Sequence, residues 1–196
     1  MAGIYTFDAG YAALFLQKKD MGKFLSARKV LNEKVGFTMP LSPKMKALLE
    51  NPDGIQDFAA WTDVLDEGAS NFLESGMTTD THLDMLVDVI YGMMIEGMYI
   101  VTESIALADY SPEMLALLNT QRDRIDFLTK ILHVFRGDEA FEQAVEFKGR
   151  MHFLEGIHDL LHVSQFTKQE VEGLRKLIAP ERQAILDGHT KGLVSK

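Results

Sequence analysis

Three of the six histidines of the chain lie in one short segment, MHFLEGIHDLLH at residues 151–162. His158 follows Glu155 by three residues and precedes His162 by four, so an α-helix would place the three side chains on one face. Asp159 repeats the carboxylate–histidine spacing with His162. Imidazole nitrogens and carboxylate oxygens are common ligands of first-row metal ions. The spacing therefore allows one metal ion to bind two or three of the side chains of Glu155, His158 and His162, which makes these residues candidate metal ligands.

A second group of carboxylates interrupts an apolar stretch that includes YGMMIEGMYI at residues 91–100. At about 100° per residue, the polar residues of a predicted helix 79–109 form one stripe: Asp88, Gly92, Glu96, Tyr99 and Glu103. We favour the interpretation that this stripe is the narrow solvent-facing edge of a mostly buried helix. In the alternative, the stripe faces inward, and Glu96 and Glu103 join the histidines in a shared site. The candidate metal ligands are then Glu96, Glu103, Glu155, His158 and His162, and iron and manganese are the candidate ions.

The pair of Glu155 and His158 resembles the E-x-x-H ligand pattern of the ferritin-like di-iron carboxylate proteins, which hold their metals inside a helical bundle. Those proteins use two such pairs and two further glutamates on separate helices, whereas this chain contains one pair. The haem-oxygenase-like helical fold, which has di-iron members, matches the length of the chain. These resemblances imply a metal-dependent oxidoreductase or a metal carrier, and neither assigns the chain to a family.

Helix start and stop signals indicate the elements that carry these residues. Ser42 and Ser111 each precede a proline, and Thr167 with Glu170 forms a capping box, so all three positions mark helix starts. Pro180 should kink or split the last helix. These signals predict helices over residues 8–34, 42–50, 53–75, 79–109, 112–136, 138–163 and 167–187. No segment of alternating polarity is long enough for a sheet, so we predict an all-α fold. We expect residues 1–196 to form a single-domain bundle of about six to seven helices around the central apolar helix 79–109.

The apolar residues of the predicted helix 138–163 change sides along its length. Before residue 151 the apolar residues lie on the side of the helix where the polar residues of the histidine segment lie later. After residue 152 the apolar residues lie on the opposite side. Two explanations fit this change. We favour a break in the helix near Gly149, and the alternative is a continuous helix whose histidines extend a face that is already inside.

The charge of the chain limits the classes of function. A net charge of −9 and a pI near 5.1 argue against nucleic-acid binding, because neutralising phosphates requires a basic surface. The absence of cysteine excludes disulfides and thiolate chemistry. The first residues do not resemble a signal peptide, since no basic stretch precedes their apolar run. Residues 83–108 are long enough to cross a membrane but carry four acidic residues, so we expect the core helix of a cytoplasmic protein with no membrane span.

Two classes of function fit these observations. We favour a binding protein that forms a homo-oligomer, binds a protein partner or takes up an apolar small ligand through methionine-rich helix surfaces, because methionine side chains adapt to irregular partners. The methionines concerned are Met85, Met93, Met94 and Met98. The alternative is the metal-dependent oxidoreductase or metal carrier described above. The sequence assigns no catalytic residue and leaves open whether the chain is an enzyme.

Overall fold

The computed structural model describes residues 1–15, 17–34, 43–50, 80–134 and 145–188 of the chain. All regular secondary structure in these ranges is helical, so the prediction of an all-α fold is confirmed. The helices, numbered in chain order, are α1 (Ala2–Leu14), α2 (Lys18–Lys34), α3 (Pro43–Glu50), α4 (Asp80–Leu107), α5 (Pro112–Leu115), α6 (Leu117–Val134), α7 (Val145–Leu161) and α8 (Lys168–Leu186).

The predicted helix 8–34 is two helices, because the chain reverses between Leu14 and Lys18. This reversal packs α1 against α2, where the rings of Tyr5 and Phe24 stack with their centroids 6.4 Å apart. In one continuous helix the same two residues would be about 28 Å apart, at 1.5 Å of rise per residue. No proline or glycine marks the turn in the sequence. The packing of two apolar helix faces therefore causes the break, which local propensity does not reveal.

The remaining described helices follow the predicted ones with three differences, at Ala116, Gly149 and Pro180. The helix predicted over 112–136 is divided at Ala116 into α5 and α6. α7 continues through Gly149, so the favoured break at that residue is wrong. α8 also continues through Pro180, which is exposed, so water can hydrate the carbonyl that loses its amide partner there.

Two predicted helix caps are present in the described residues. The hydroxyl of Ser111 accepts a 3.4 Å hydrogen bond from the amide three residues on, at the start of α5. At the start of α8 the hydroxyl of Thr167 accepts a 3.1 Å hydrogen bond from the amide two residues on, and Glu170 accepts one of 2.9 Å from the Thr167 amide. The predicted helix 53–75 and the proposed cap Ser42 lie outside the described residues.

The helices group into two compact units, Met1–Met93 and Met94–Lys196, and α4 contributes residues to each. In the first unit, Gly3 of α1 approaches the backbone of α4. A β-carbon at Gly3 would lie 2.1 Å from the carbonyl oxygen of Val89, so only glycine fits at this crossing. The organisation of residues 1–196 as a single domain stays a prediction.

The second unit contains the candidate site. Within it α6 packs against α7, and α7 packs against α8. Its buried apolar side chains include Ile95, Met98, Ile105, Leu118, Ile125, Leu128, Leu154, Ile157, Leu161, Val171, Leu174 and Ile178. On each helix these residues recur at intervals of three, four or seven, which is typical of a helix with one face in the core. Polar side chains at the border of that face are therefore held between neighbouring helices.

One segment of the described residues, Val87–Leu107 in α4, is long and apolar enough to cross a membrane by length and composition. The core helix of a soluble protein meets the same criterion. The expected absence of a membrane span therefore stays a prediction.

Candidate metal centre

Two of the predicted metal ligands, His158 and His162, meet a carboxylate from a different helix. The Nε2 atom of His158 lies 3.5 Å from Oδ1 of Asp126, and the Nε2 atom of His162 lies 3.5 Å from Oδ2 of the same residue. The two imidazole rings stack, with centroids 3.9 Å apart and planes 25° apart. The ligand atoms of all three residues lie within 4.8 Å of one another. We call this group the Asp126–His158–His162 cluster.

Helix geometry and core packing hold the cluster together. His158 lies in the last turn of α7, and His162 follows the end of that helix by one residue. The His162 amide still donates a 3.1 Å hydrogen bond to the His158 carbonyl, so the helical spacing continues to the second ring. Asp126 lies on α6 between the buried residues Ile125 and Leu128, and α6 packs on α7. The carboxylate and the two rings are therefore placed by the packing of two helices.

The hydrogen bonds of the His162 ring indicate which of its nitrogens carries the proton. Nδ1 of His162 lies 2.9 Å from the His158 carbonyl oxygen, which can only accept, so this nitrogen is the donor. Nδ1 of His158 lies 3.4 Å from the carboxylate of Asp159 and its Nε2 atom lies 3.5 Å from that of Asp126, so either nitrogen of this ring can be the donor. A neutral His162 ring then presents the lone pair of its Nε2 atom to the carboxylate of Asp126. A lone pair that faces a carboxylate repels it unless a proton or a metal ion lies between them.

The separations in the cluster suit a metal ion. Zinc binds histidine nitrogens and carboxylate oxygens at about 2.0–2.1 Å, so ligand atoms at the corners of a tetrahedron are about 3.3 Å apart. The 3.5 Å separations join His158 and His162 to different oxygens of Asp126, and the three ligand atoms lie within 4.8 Å of one another. Metal-bound histidines also usually donate the other ring proton to a carbonyl or a carboxylate, as His162 does here. The three residues therefore offer the ligand types of a divalent-ion site, and an ion would draw the ligand atoms closer together.

The burial of the cluster is uneven. The Oδ1 atom of Asp126 is inaccessible to solvent and accepts no hydrogen bond from the described residues. A buried carboxylate oxygen without a partner is destabilising, which a bound cation would relieve. The side chains of His158 and His162 remain 35% and 42% exposed, so solvent reaches the other side of the cluster. An ion held here would keep open coordination positions toward solvent.

The other predicted metal ligands do not join the cluster in the described residues. Glu155 lies on α7 but outside the group of three ligand atoms. Glu96 and Glu103 form ion pairs with arginines of α8 instead. Glu96 is only 2% exposed, so the favoured interpretation of a solvent-facing edge is wrong at this position, although Asp88 on the same stripe is exposed.

The inward part of the polar stripe on α4 is an ion-pair ladder with α8. Glu96 accepts two hydrogen bonds from Arg182, of 2.6 and 3.0 Å. Glu103 accepts two from Arg175, of 2.9 and 2.8 Å. The Arg182 guanidinium also lies over the ring of Tyr99, 4.4 Å from its centroid. Both carboxylates thus have bidentate partners, so neither needs a metal ion to balance its charge.

The ladder continues past the end of α4, into the turn that follows it. Tyr110 donates a hydrogen bond to Glu172, and the Lys168 ammonium lies 4.7 Å from the centroid of the tyrosine ring. This hydrogen bond lowers the pKa of Glu172 and raises the pKa of Tyr110. The two carboxylates that bind Arg175, Glu103 first and Glu172 second, raise the pKa of that guanidinium. Charge is therefore well matched along this helix pair.

A signal for the ladder was present in the sequence and was missed. The first set is Glu96 and Glu103 of α4 with Tyr110 in the turn after it, and the second set is Lys168, Arg175 and Arg182 of α8. Each set is spaced by seven residues. Antiparallel helices would match such sets in reverse order, as the structure does. Asp126 had no comparable signal, because it is one of several charged residues in QRDRIDFLTK and gains its role only from the packing of α6 on α7.

No protein-family model, no characterised protein and no solved structure matches this chain.

Proposed function

We propose that this protein binds one divalent transition-metal ion through Asp126, His158 and His162. The observation that supports the proposal is the direction of the two rings. Both Nε2 atoms lie 3.5 Å from the two oxygens of one carboxylate, while both Nδ1 atoms have acceptors of their own. This set replaces the one predicted from sequence, keeping His158 and His162 and exchanging the three glutamates for Asp126.

The ligand set supports a metal-dependent enzyme or a metal carrier. Two imidazoles and one carboxylate are the protein ligands of several catalytic zinc sites and of non-haem Fe(II) oxygenases, which leave coordination positions for water or substrate. Iron, manganese and zinc are the candidate ions for such a set. A bound ion of this kind polarises an oxygen ligand and lowers the pKa of bound water.

The proposal is tested by metal analysis of protein purified without a metal-affinity tag. We expect about one iron, manganese or zinc ion per chain, or uptake of one equivalent in a titration of metal-free protein. His162→Asn should weaken binding by at least about tenfold, because even residues that only support a ligand contribute that much. His152→Asn is the matched control, since His152 is exposed on the same helix and outside the cluster.

Two results would contradict the proposal. Wild-type protein that takes up no divalent ion at micromolar concentration would exclude the site. Equal affinities for His162→Asn and His152→Asn would show that the ion binds elsewhere. Glu96→Gln should leave metal affinity unchanged, because Glu96 is bound by Arg182. Metal should also raise the melting temperature of wild-type protein, since a ligand that binds only the folded state stabilises it.

Self-association or binding of a partner stays a second candidate. Of the methionines named for such a surface, Met98 is fully buried, whereas Met93 and Met94 are partly exposed. Large apolar side chains are exposed elsewhere, with Leu107 at 88% and Phe127 at 66%. The size of the protein in solution, measured by light scattering, tests this candidate. A monomer at high micromolar concentration would argue against a homo-oligomer.

A further inference from the structure

A metal ion in the Asp126–His158–His162 cluster would have both charge and coordination positions left over. Its protein ligands would be one carboxylate and two neutral imidazoles, so a divalent ion keeps one positive charge in excess. Zinc takes at least four ligands and iron or manganese commonly six, and the protein supplies three. The remaining ligands must come from solvent or from a bound molecule. Oxygen donors with negative charge would complete this sphere best.

Two further polar side chains lie on the side of α6 that bears Asp126. Arg122 precedes Asp126 by four residues and Thr129 follows it by three, so both lie on the same side of the helix, within about 40° and 60° of Asp126. Arg122 is half-buried, and among the described residues no carboxylate forms an ion pair with it. In contrast, Arg175 and Arg182 of the same unit each bind a carboxylate.

Thr129 carries a second unused polar group. Its Oγ1 atom is inaccessible to solvent and has no hydrogen-bond partner in the part of the chain that the structure describes. A buried hydroxyl on a helix usually donates to a carbonyl one turn earlier, so this one is unusual. Thr129 and Arg122 thus carry hydrogen-bond donors without partners among the described residues, on the side of α6 that bears Asp126.

We infer that the loaded metal centre binds an oxyanion, a carboxylate or a phosphate group, as the remaining ligand of the ion. Arg122 would bind its oxygens through the planar guanidinium, which matches both kinds of anion. Thr129 would donate its hydroxyl proton to the oxygen on the buried side. Asp123 and Asp159 are exposed acidic residues near the cluster in sequence, and their charge reduces the attraction for an anion. This inference rests on the proposed metal site and names the class of molecule that the site receives.

Cobalt-loaded protein separates the two claims. Co²⁺ bound to the cluster gives a visible absorption spectrum, and its appearance on titration of metal-free protein reports the metal site alone. Acetate and inorganic phosphate are then added separately to the loaded protein, and the change in the spectrum gives the affinity for each anion. Dialysis followed by metal analysis checks that the cobalt stays bound.

Arg122→Gln and Arg124→Gln are a matched pair for this measurement. Both residues are arginines of α6, and Arg124 is exposed about 160° away from Asp126 around the helix. We expect Arg122→Gln to bind cobalt like wild type and to lose about tenfold or more in anion affinity, as the loss of a charged hydrogen bond implies. Arg124→Gln should match wild type in both. Thr129→Val, which keeps the shape of the side chain, should weaken anion binding by a smaller factor.

Each outcome decides one claim. If wild-type protein shows no cobalt spectrum, the metal site itself is wrong. If cobalt binds but neither anion alters the spectrum, or if Arg122→Gln and Arg124→Gln bind anions equally, the oxyanion site is wrong and the metal site stands. Tighter binding of acetate would identify a carboxylate ligand, and tighter binding of phosphate would identify a phosphate ester or free phosphate.

Discussion

Removing Arg182 should destabilise this protein more than removing Arg175, although both arginines bind a glutamate of α4 with two hydrogen bonds. The difference lies in the carboxylate left behind. Arg182→Gln leaves Glu96 at 2% side-chain exposure, whereas Arg175→Gln leaves Glu103 at 32%. Breaking a buried pair by removing one partner costs about 3–5 kcal/mol. A pair that water reaches contributes about 1 kcal/mol or less.

The expected free energies of unfolding follow from these values. Arg182→Gln should lose about 3 kcal/mol, at the low end of the range, because the guanidinium itself is 23% exposed and its site can admit some water. Arg175→Gln should lose about 1 kcal/mol. Glu96→Gln should cost less than Arg182→Gln, because the arginine left behind reaches solvent. The double variant of Glu96 and Arg182, both to Gln, should lose less than the sum of the single changes, since no unpaired buried charge remains.

Urea unfolding followed by far-ultraviolet circular dichroism measures these differences. Urea is preferred to guanidinium chloride, whose ions screen salt bridges. Equal losses for Arg182→Gln and Arg175→Gln, within about 0.5 kcal/mol, would refute the reasoning that burial of the remaining carboxylate sets the cost. A sum of single losses that equals the loss of the double variant would show that the two side chains are not coupled.

Three further predictions concern the helices. Gly3→Ala should destabilise the first unit by about 1–3 kcal/mol or prevent folding, because its β-carbon would lie 2.1 Å from a carbonyl oxygen of α4. The control variant Gly10→Ala has open space around its β-carbon, so it should be neutral or slightly stabilising in the same urea assay. Thr167→Ala should lower the free energy of unfolding by about 1–2 kcal/mol, because it removes a complete capping box. Ser111→Ala should lower it by about 0.5 kcal/mol, because the Ser111 hydrogen bond is 3.4 Å long and caps a helix of one turn. A larger loss for Ser111→Ala than for Thr167→Ala would contradict this order. Glu172 has a lowered pKa, so its stabilising contribution is present above the ordinary carboxyl value of about 4.3 and is lost as the pH falls through the lower folded value. Melting temperatures of Glu172→Gln should therefore fall less than those of wild type between pH 5 and pH 3, and parallel curves would refute the assignment.

The fold class and several local features of this protein could be read from its sequence. Helix periodicity and the absence of alternating segments predict an all-α chain, and the caps at Ser111 and Thr167 are local hydrogen bonds between residues within four positions of each other. The pairing of His158 with His162 on one helix face is local for the same reason. Features of this kind depend only on the spacing of residues along one helix, and that spacing can be read directly from the sequence.

Other features were decided by contacts between helices. The stripe on α4 was visible in the sequence, but whether Glu96 faced solvent or the core depended on Arg182, 86 residues later. The break between α1 and α2 depends on the packing of their apolar faces and has no local marker. Glu155 was predicted as a ligand from its spacing, and Asp126 was not predicted at all.

The candidate metal site shows the same division between local and tertiary information. The i, i+4 spacing of His158 and His162 determined that two imidazoles would lie side by side on α7. Which carboxylate would meet them depended on the packing of α6 against α7, because side chains from different helices become neighbours only when their apolar faces are buried together. The order of residues along the chain determines which side chains share a helix face. Which helix packs on that face depends on the free energy of burying apolar surface, and that free energy is set by the whole tertiary structure.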